Sequence, residues 1–294
     1  GYDDKWTWSG HRALTLPVAG LFYGWNPSAL WLSIIMISGV TLGALPAGGL
    51  GRRALGNPWG FLLGVFVYIS APAAMALSLQ DYQDLCFALP CLVFAIWAIG
   101  GGRWWLAVLG AVVGIAPREE CVPIVVAIAL LSPPFRGRRV RWLPWFWNVL
   151  LVAAVAGTYA YWAESRFPIA TSGHDMPLQN AVRSLGKGQV FLEGWLYRYR
   201  FYALAWVPLG TLAFFSPLIA LPGVALCILH MSVPEGHGVD RSWSLHCHHM
   251  APAVAFSVAS VILGGARLLR WTRRALPRSI GRFICSAMAL SLAG

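Results

Sequence analysis

Charge is what this sequence lacks. Only 11% of its 294 residues are Asp, Glu, Lys or Arg, whereas a soluble domain carries about a quarter. A water-soluble globular fold is thereby excluded. Paired cysteines are missing too: Cys86, Cys91, Cys121, Cys227, Cys247 and Cys285 stand singly and form no C-x-x-C pair, which excludes a disulfide framework and a zinc cage. Most sit in or beside apolar runs, where cysteine acts as a small hydrophobe. There is no P-loop, dinucleotide fingerprint or nucleophile elbow, so soluble-nucleotide chemistry is not expected. No internal repeat has a fixed period, and the run Gly100, Gly101 and Gly102 reads as a connector.

What is present is hydrocarbon. Hydrophobic residues make up 58% of the chain and the mean hydropathy is +0.63. Ala13 to Gly51, Ala54 to Gln80, Leu85 to Gly102, Trp142 to Ala163 and Phe201 to Pro234 contain no charged residue. Several exceed the roughly 20 residues a helix needs to cross a bilayer. The pattern predicts an all-α polytopic membrane protein of about eight or nine transmembrane or re-entrant helices. Spans are expected at 28–50, 59–79, 85–100, 104–116, 121–133, 143–163, 203–215, 217–231 and 251–266. Those at 104–116 and 121–133 are short enough to dip as a hairpin, and Ser216-Pro217 offers the break that separates 203–215 from 217–231. The chain reads as one transmembrane domain over 1–294. Gly1 at the start and the apolar run Phe283 to Gly294 at the end suggest a fragment lacking its first helix and truncated in its last.

The net charge of +11 would suit nucleic acid if it formed one basic stripe. It does not. Arg52, Arg53, Arg103, Arg136, Arg138, Arg139, Arg141 and the six arginines from Arg267 to Arg282 occupy one alternating set of connectors, with thirteen bases and no acid. All 11 acids occupy the other set. The positive-inside rule makes the first set cytoplasmic and the second external, with membrane lipid as partner and no nucleic acid. The largest polar segment, 164–202, is then an extracytoplasmic loop. Its stretch Trp195-Leu196-Tyr197-Arg198-Tyr199-Arg200-Phe201-Tyr202 has the rings and charged tips of an interfacial helix, serving as an anchor or holding an anionic headgroup.

Three clusters could carry chemistry. In Gln80-Asp81-Tyr82-Gln83-Asp84 the two carboxylates are three residues apart and would share a helical face; burial near lipid would make one a base, and the alternative is a wet loop. Arg118-Glu119-Glu120 lies between the two short spans. Arg118 can neutralise one carboxylate and leave the other for a proton, a metal or a substrate hydroxyl, or the three close a hairpin as an ion pair. His246-Cys247-His248-His249 precedes the span at 251. Its spacing matches no zinc signature, so contact with substrate or with another loop's acid is the stronger reading.

The order of these motifs resembles a family of bacterial predicted membrane proteins with a domain of unknown function, itself similar to the GT-C superfamily of polyprenyl-phosphate-sugar-dependent glycosyltransferases. The likeness runs from about Gly10 to Arg270. It rests on Ser9-Gly10-His11 before Leu16-Pro17, Asp81-Tyr82-Gln83-Asp84 running into Ala88-Leu89-Pro90, and Arg118-Glu119-Glu120 after Gly102-Arg103-Trp104-Trp105. Ser216-Pro217, Leu221-Pro222 and His248-His249 with Ala251-Pro252 complete it. Gln83 stands where that family has His, Glu120 where it has Asp and His249 where it has Tyr. The resemblance implies a GT-C-like bundle and transfer of a sugar from a polyprenyl-phosphate-linked donor. It assigns Asp81 or Asp84 as base or orienter, and Glu119 and Glu120 to acceptor or metal positioning. Arg118, His248 and Arg198 would meet the phosphate, with Gln83, His11 and His249 as further substrate contacts. A divalent metal is compatible with this chemistry, but no metal ligands are assigned. The catalytic acid such enzymes carry in their first outer loop would precede this chain, unless Asp3 and Asp4 are its remnant. Transport or flipping of a lipid-linked or small solute, and a non-catalytic assembly role, are the alternatives.

Overall fold

The computed structural model describes residues 29–71, 85–115, 121–132, 142–166, 212–231 and 251–275, together with positions 21, 24, 25 and 74. Every regular element among them is helical. This is the economical outcome for apolar runs in lipid, where each backbone N–H and C=O must find its partner within the segment. In chain order they are α1 Ala29–Leu42, α2 Ala44–Leu55, α3 Pro58–Ile69, α4 Leu85–Gly100, α5 Trp104–Ile115, α6 Val122–Leu130, α7 Trp142–Arg166, α8 Pro217–Met231 and α9 Ala251–Ala275. Among the described residues, three stretches are long and apolar enough to cross a membrane: Ser33–Leu55, Trp142–Tyr159 and Ala253–Thr272. Shorter apolar helices, Pro58–Ile69, Cys86–Gly100, Trp104–Ile115 and Pro217–Leu226, pack among them. α7 turns Trp142, Leu143, Phe146, Trp147 and Leu151 outward. So wide an apolar surface is stable against lipid and not against water.

The first long span is broken once. Pro46 has no N–H for the carbonyl of Leu42, and the chain turns at Gly43 between α1 and α2. Tyr68 of α3 fills the break: its buried hydroxyl donates to the Val40 carbonyl at 2.8 Å, and Gly43 leaves room for its ring. α2 and α3 form an antiparallel hairpin with no side chains between them at the crossing. Gly51 faces Gly60, and Gly64 faces Ala47 and Gly48, backbone against backbone. Small residues allow that approach, the usual currency of helix association in lipid.

α4 is the hub, packed against α1, α2, α5, α6 and α9. Cys86, Leu89, Pro90, Ala95, Ile96 and Ala98 are buried around its circumference, so its sequence is apolar on every side rather than striped. Glycine contacts give its direction. Gly39 of α1 meets Cys86 and Phe87, while Gly49 of α2 meets Trp97, so α1–α2 and α4 run the same way. α5 returns antiparallel, with Gly110 beside Phe94 and Gly114 beside Cys91 and Leu92. α5 and α6 are described over 12 and 9 residues.

Two boundaries differ from the sequence expectation. α3 ends at Ile69, capped by Ser70 with Pro72 two residues on, although apolar sequence continues to 79. α9 runs to Ala275 and so carries Arg267, Arg270, Arg273 and Arg274 as helix rather than connector. Arg267 is held there by donating through Nη1 to the Phe215 carbonyl at 3.1 Å. α8 opens at Pro217 after the turn at Phe214–Ser216, the break expected there. Residues 203–211, on its other side, lie outside the described residues.

Candidate functional site

Charged side chains from two separate elements meet where α2 and α4 both end. α2 closes on Gly56, whose φ of 71° is left-handed and whose N–H returns to the Arg52 carbonyl at 2.8 Å. Asn57 then starts α3 at once, its side chain accepting from the Gly60 N–H at 2.9 Å, with Pro58 in the first turn. This tight reversal holds Arg52 and Arg53 at the helix end. α4 closes similarly: Gly102 has φ 77°, and the Arg103 N–H reaches back to the Ala98 carbonyl at 2.9 Å. The two turns bring Arg53 and Arg103, fifty positions apart, onto one indole.

Each guanidinium carbon stands 5.5 Å from the centre of the Trp97 ring, within reach of the ring quadrupole. Arg53 Nη1 also donates to the Trp97 carbonyl at 2.6 Å, which fixes its fork. The indole reaches α2 because position 49 is glycine: a Cβ there would strike its ring nitrogen. Phe94 supports it from one turn earlier, with ring centres 5.5 Å apart. The result is a groove of about 840 Å³. Arg52, Arg53 and Arg103 form its charged rim, and Leu42, Leu45, Phe61 and Phe94 its apolar wall. Among the described residues, no acid lines it. Cations beside an apolar slot suit an amphiphilic anion; they supply neither nucleophile nor base.

The residues that the sequence singled out for chemistry, Asp81, Gln83, Asp84, Arg118, Glu119, Glu120, Arg198, His11, His248 and His249, all lie outside the described residues. Their attachment points do not. Asp84 precedes Leu85, where α4 begins, and Arg118 follows Ile115, where α5 ends, by three residues. Because α4 and α5 are antiparallel and their connecting turn sits at the arginine groove, Leu85 and Ile115 both point away from it. Gly114 is level with Cys91. Among the described residues, no three His, Cys, Asp or Glu side chains cluster as metal ligands would.

The arginine groove was not legible as a site. Arg52, Arg53 and Arg103 read as markers of sidedness, and Trp97 is one of 16 tryptophans in the chain. The local signal was glycine close to arginine, at Gly56 three residues after Arg53 and at Gly101–Gly102 just before Arg103.

The helical, lipid-facing build is matched by comparison with protein families. The family described as predicted membrane protein (DUF2079) matches residues 7–294. The chain belongs to this family. The DUF2079 match spans every described helix, so the bundle is the family's own region rather than an appendage to it. No functionally curated protein and no solved structure matches the chain.

Proposed function

We propose that this DUF2079 protein is a GT-C-like membrane glycosyltransferase, moving a sugar from a polyprenyl-phosphate donor to an acceptor at the extracytoplasmic face. The observation that carries the reading is the antiparallel α4–α5 pair. Its described ends, Leu85 and Ile115, lie toward the same end, away from the arginines; Asp84 directly precedes the first in sequence and Arg118 follows the second by three residues. Two carboxylate pairs flanking those ends in sequence, on one membrane face as the charge alternation expects, would supply what sugar transfer needs. Asp81 or Asp84 takes the proton of the acceptor hydroxyl as its oxygen bonds to the anomeric carbon. The bond from that carbon to the phosphate oxygen breaks, and its electron pair leaves with the phosphate. Arg118, His248 and Arg198 stabilise the charge that develops there. Glu119 and Glu120 orient the acceptor, or hold a divalent metal if one serves.

A conduction path is the less favoured reading. It calls for ionisable groups within spans, whereas the charged residues of the described helices lie toward their C-terminal ends: Arg52 and Arg53 in α2, Glu164 and Arg166 in α7, and Arg267 onward in α9. The test is transfer from radiolabelled polyprenyl-phosphate sugars by membranes containing the full-length protein. Asp81→Asn and Glu120→Gln are each expected to lower transfer by about 10²-fold or more. Wild-type membranes that transfer no label, or variants that match wild type, contradict the reading.

A further inference from the structure

We infer that the groove between α2 and α4 binds a phosphate-bearing anionic lipid, its headgroup held by Arg53 and Arg103 and its acyl chain lying along Leu42, Leu45 and Phe61. The inference is independent of the glycosyl-transfer reading, because the groove lies at the opposite end from Leu85 and Ile115 and contains none of the residues proposed for that chemistry.

The argument begins with a repulsion. Two guanidiniums share one indole at 5.5 Å from its centre, a third arginine stands on the same rim, and among the described residues the lining contains no carboxylate. Like charges brought together and partly withdrawn from water are unfavourable, and one ring offers each cation only modest relief. A phosphate between them would relieve both. Arginine suits that partner, since its planar fork donates in pairs to phosphate oxygens. Arg53 is already oriented by its bond to the Trp97 carbonyl, so little freedom is lost when the anion arrives.

The apolar wall selects a lipid over a free ion. Leu42 is 60% and Leu45 59% exposed, and both continue the groove from the arginines along the helix surface toward hydrocarbon. A soluble phosphate would leave that wall unused, whereas an acyl chain covers it. Basic recesses between helices near the cytoplasmic leaflet are where anionic headgroups collect, and the sidedness proposed above puts the groove there.

The test uses full-length protein, delipidated in detergent and given phosphatidylglycerol, phosphatidylcholine or inorganic phosphate, with bound lipid counted by native mass spectrometry. Phosphatidylglycerol should be retained in preference to phosphatidylcholine, and retention should fall by about tenfold or more in Arg103→Gln, the loss of one charge-assisted contact. Arg53→Gln could also disturb the helix end through Trp97. Arg52→Gln, whose side chain lines the groove away from the ring, therefore serves as the second variant and should weaken retention without altering the elution profile. Millimolar inorganic phosphate should not displace the lipid. Equal retention of the two lipids, unchanged retention in both Arg103→Gln and Arg52→Gln, or full displacement by inorganic phosphate would overturn the inference, the last by making the groove a site for a soluble anion.

Discussion

Tyr68 carries a hydroxyl into the interior of an apolar bundle, where an unbonded polar group is costly. It is satisfied by the Val40 carbonyl at the break between α1 and α2. Tyr68→Phe removes that bond while keeping the ring's packing, and Val40 keeps the N–H of Gly43 at 3.0 Å. The expected loss is therefore about 0.5–1.5 kcal/mol, read as a lowered midpoint of thermal unfolding in detergent; a midpoint equal to wild type would mean the bond contributes nothing. The sequence expectation ran one span over 28–50 without a break, and the tyrosine that closes the break is more than 20 residues away and has no local signature. The same holds for Trp97. Its two arginines arrive from different turns, and only the folded chain shows that they meet.

Between elements, glycine decides how closely helices approach. At the α2–α3 crossing a Cβ on Gly51 would run into the Gly60 carbonyl, and one on Gly64 into that of Ala47. Neither neighbour is a flexible side chain that could move aside. Gly51→Ala should destabilise the bundle by about 1–3 kcal/mol through overpacking. Gly157 of α7 is the counterpart: exposed, helical and with open space around its added Cβ. Gly157→Ala should be neutral or stabilising by up to about 1 kcal/mol. Unfolding both variants in the same detergent checks the pair, and equal effects would show that close approach is not what Gly51 provides. Length and hydropathy made most helices legible, including α5 and α6 and the start of α8 at Pro217. The end of α9 was not, because four arginines resemble a connector when hydropathy alone is counted. On a helix surface such side chains can extend along the barrel or cap a neighbouring carbonyl, as Arg267 does with Phe215.

Across the whole molecule, the account rests on two ends of opposite character: an arginine groove where α2 and α4 finish, and the other end of the α4–α5 pair, toward which the proposal assigns the carboxylates that flank Leu85 and Ile115 in sequence. Charge alternation along the sequence already divided the connectors this way, and the antiparallel α4–α5 pair supports the same division. Substituted-cysteine labelling of full-length protein in sealed membrane vesicles of known orientation tests it most directly. Cysteines placed at positions 81 and 120 should react with a membrane-impermeant maleimide from the extracytoplasmic side, and a cysteine at position 103 only after the vesicles are opened. Labelling of 81 and 120 from opposite sides, or of either from the same side as 103, would contradict a shared outer site and the sugar transfer proposed for it.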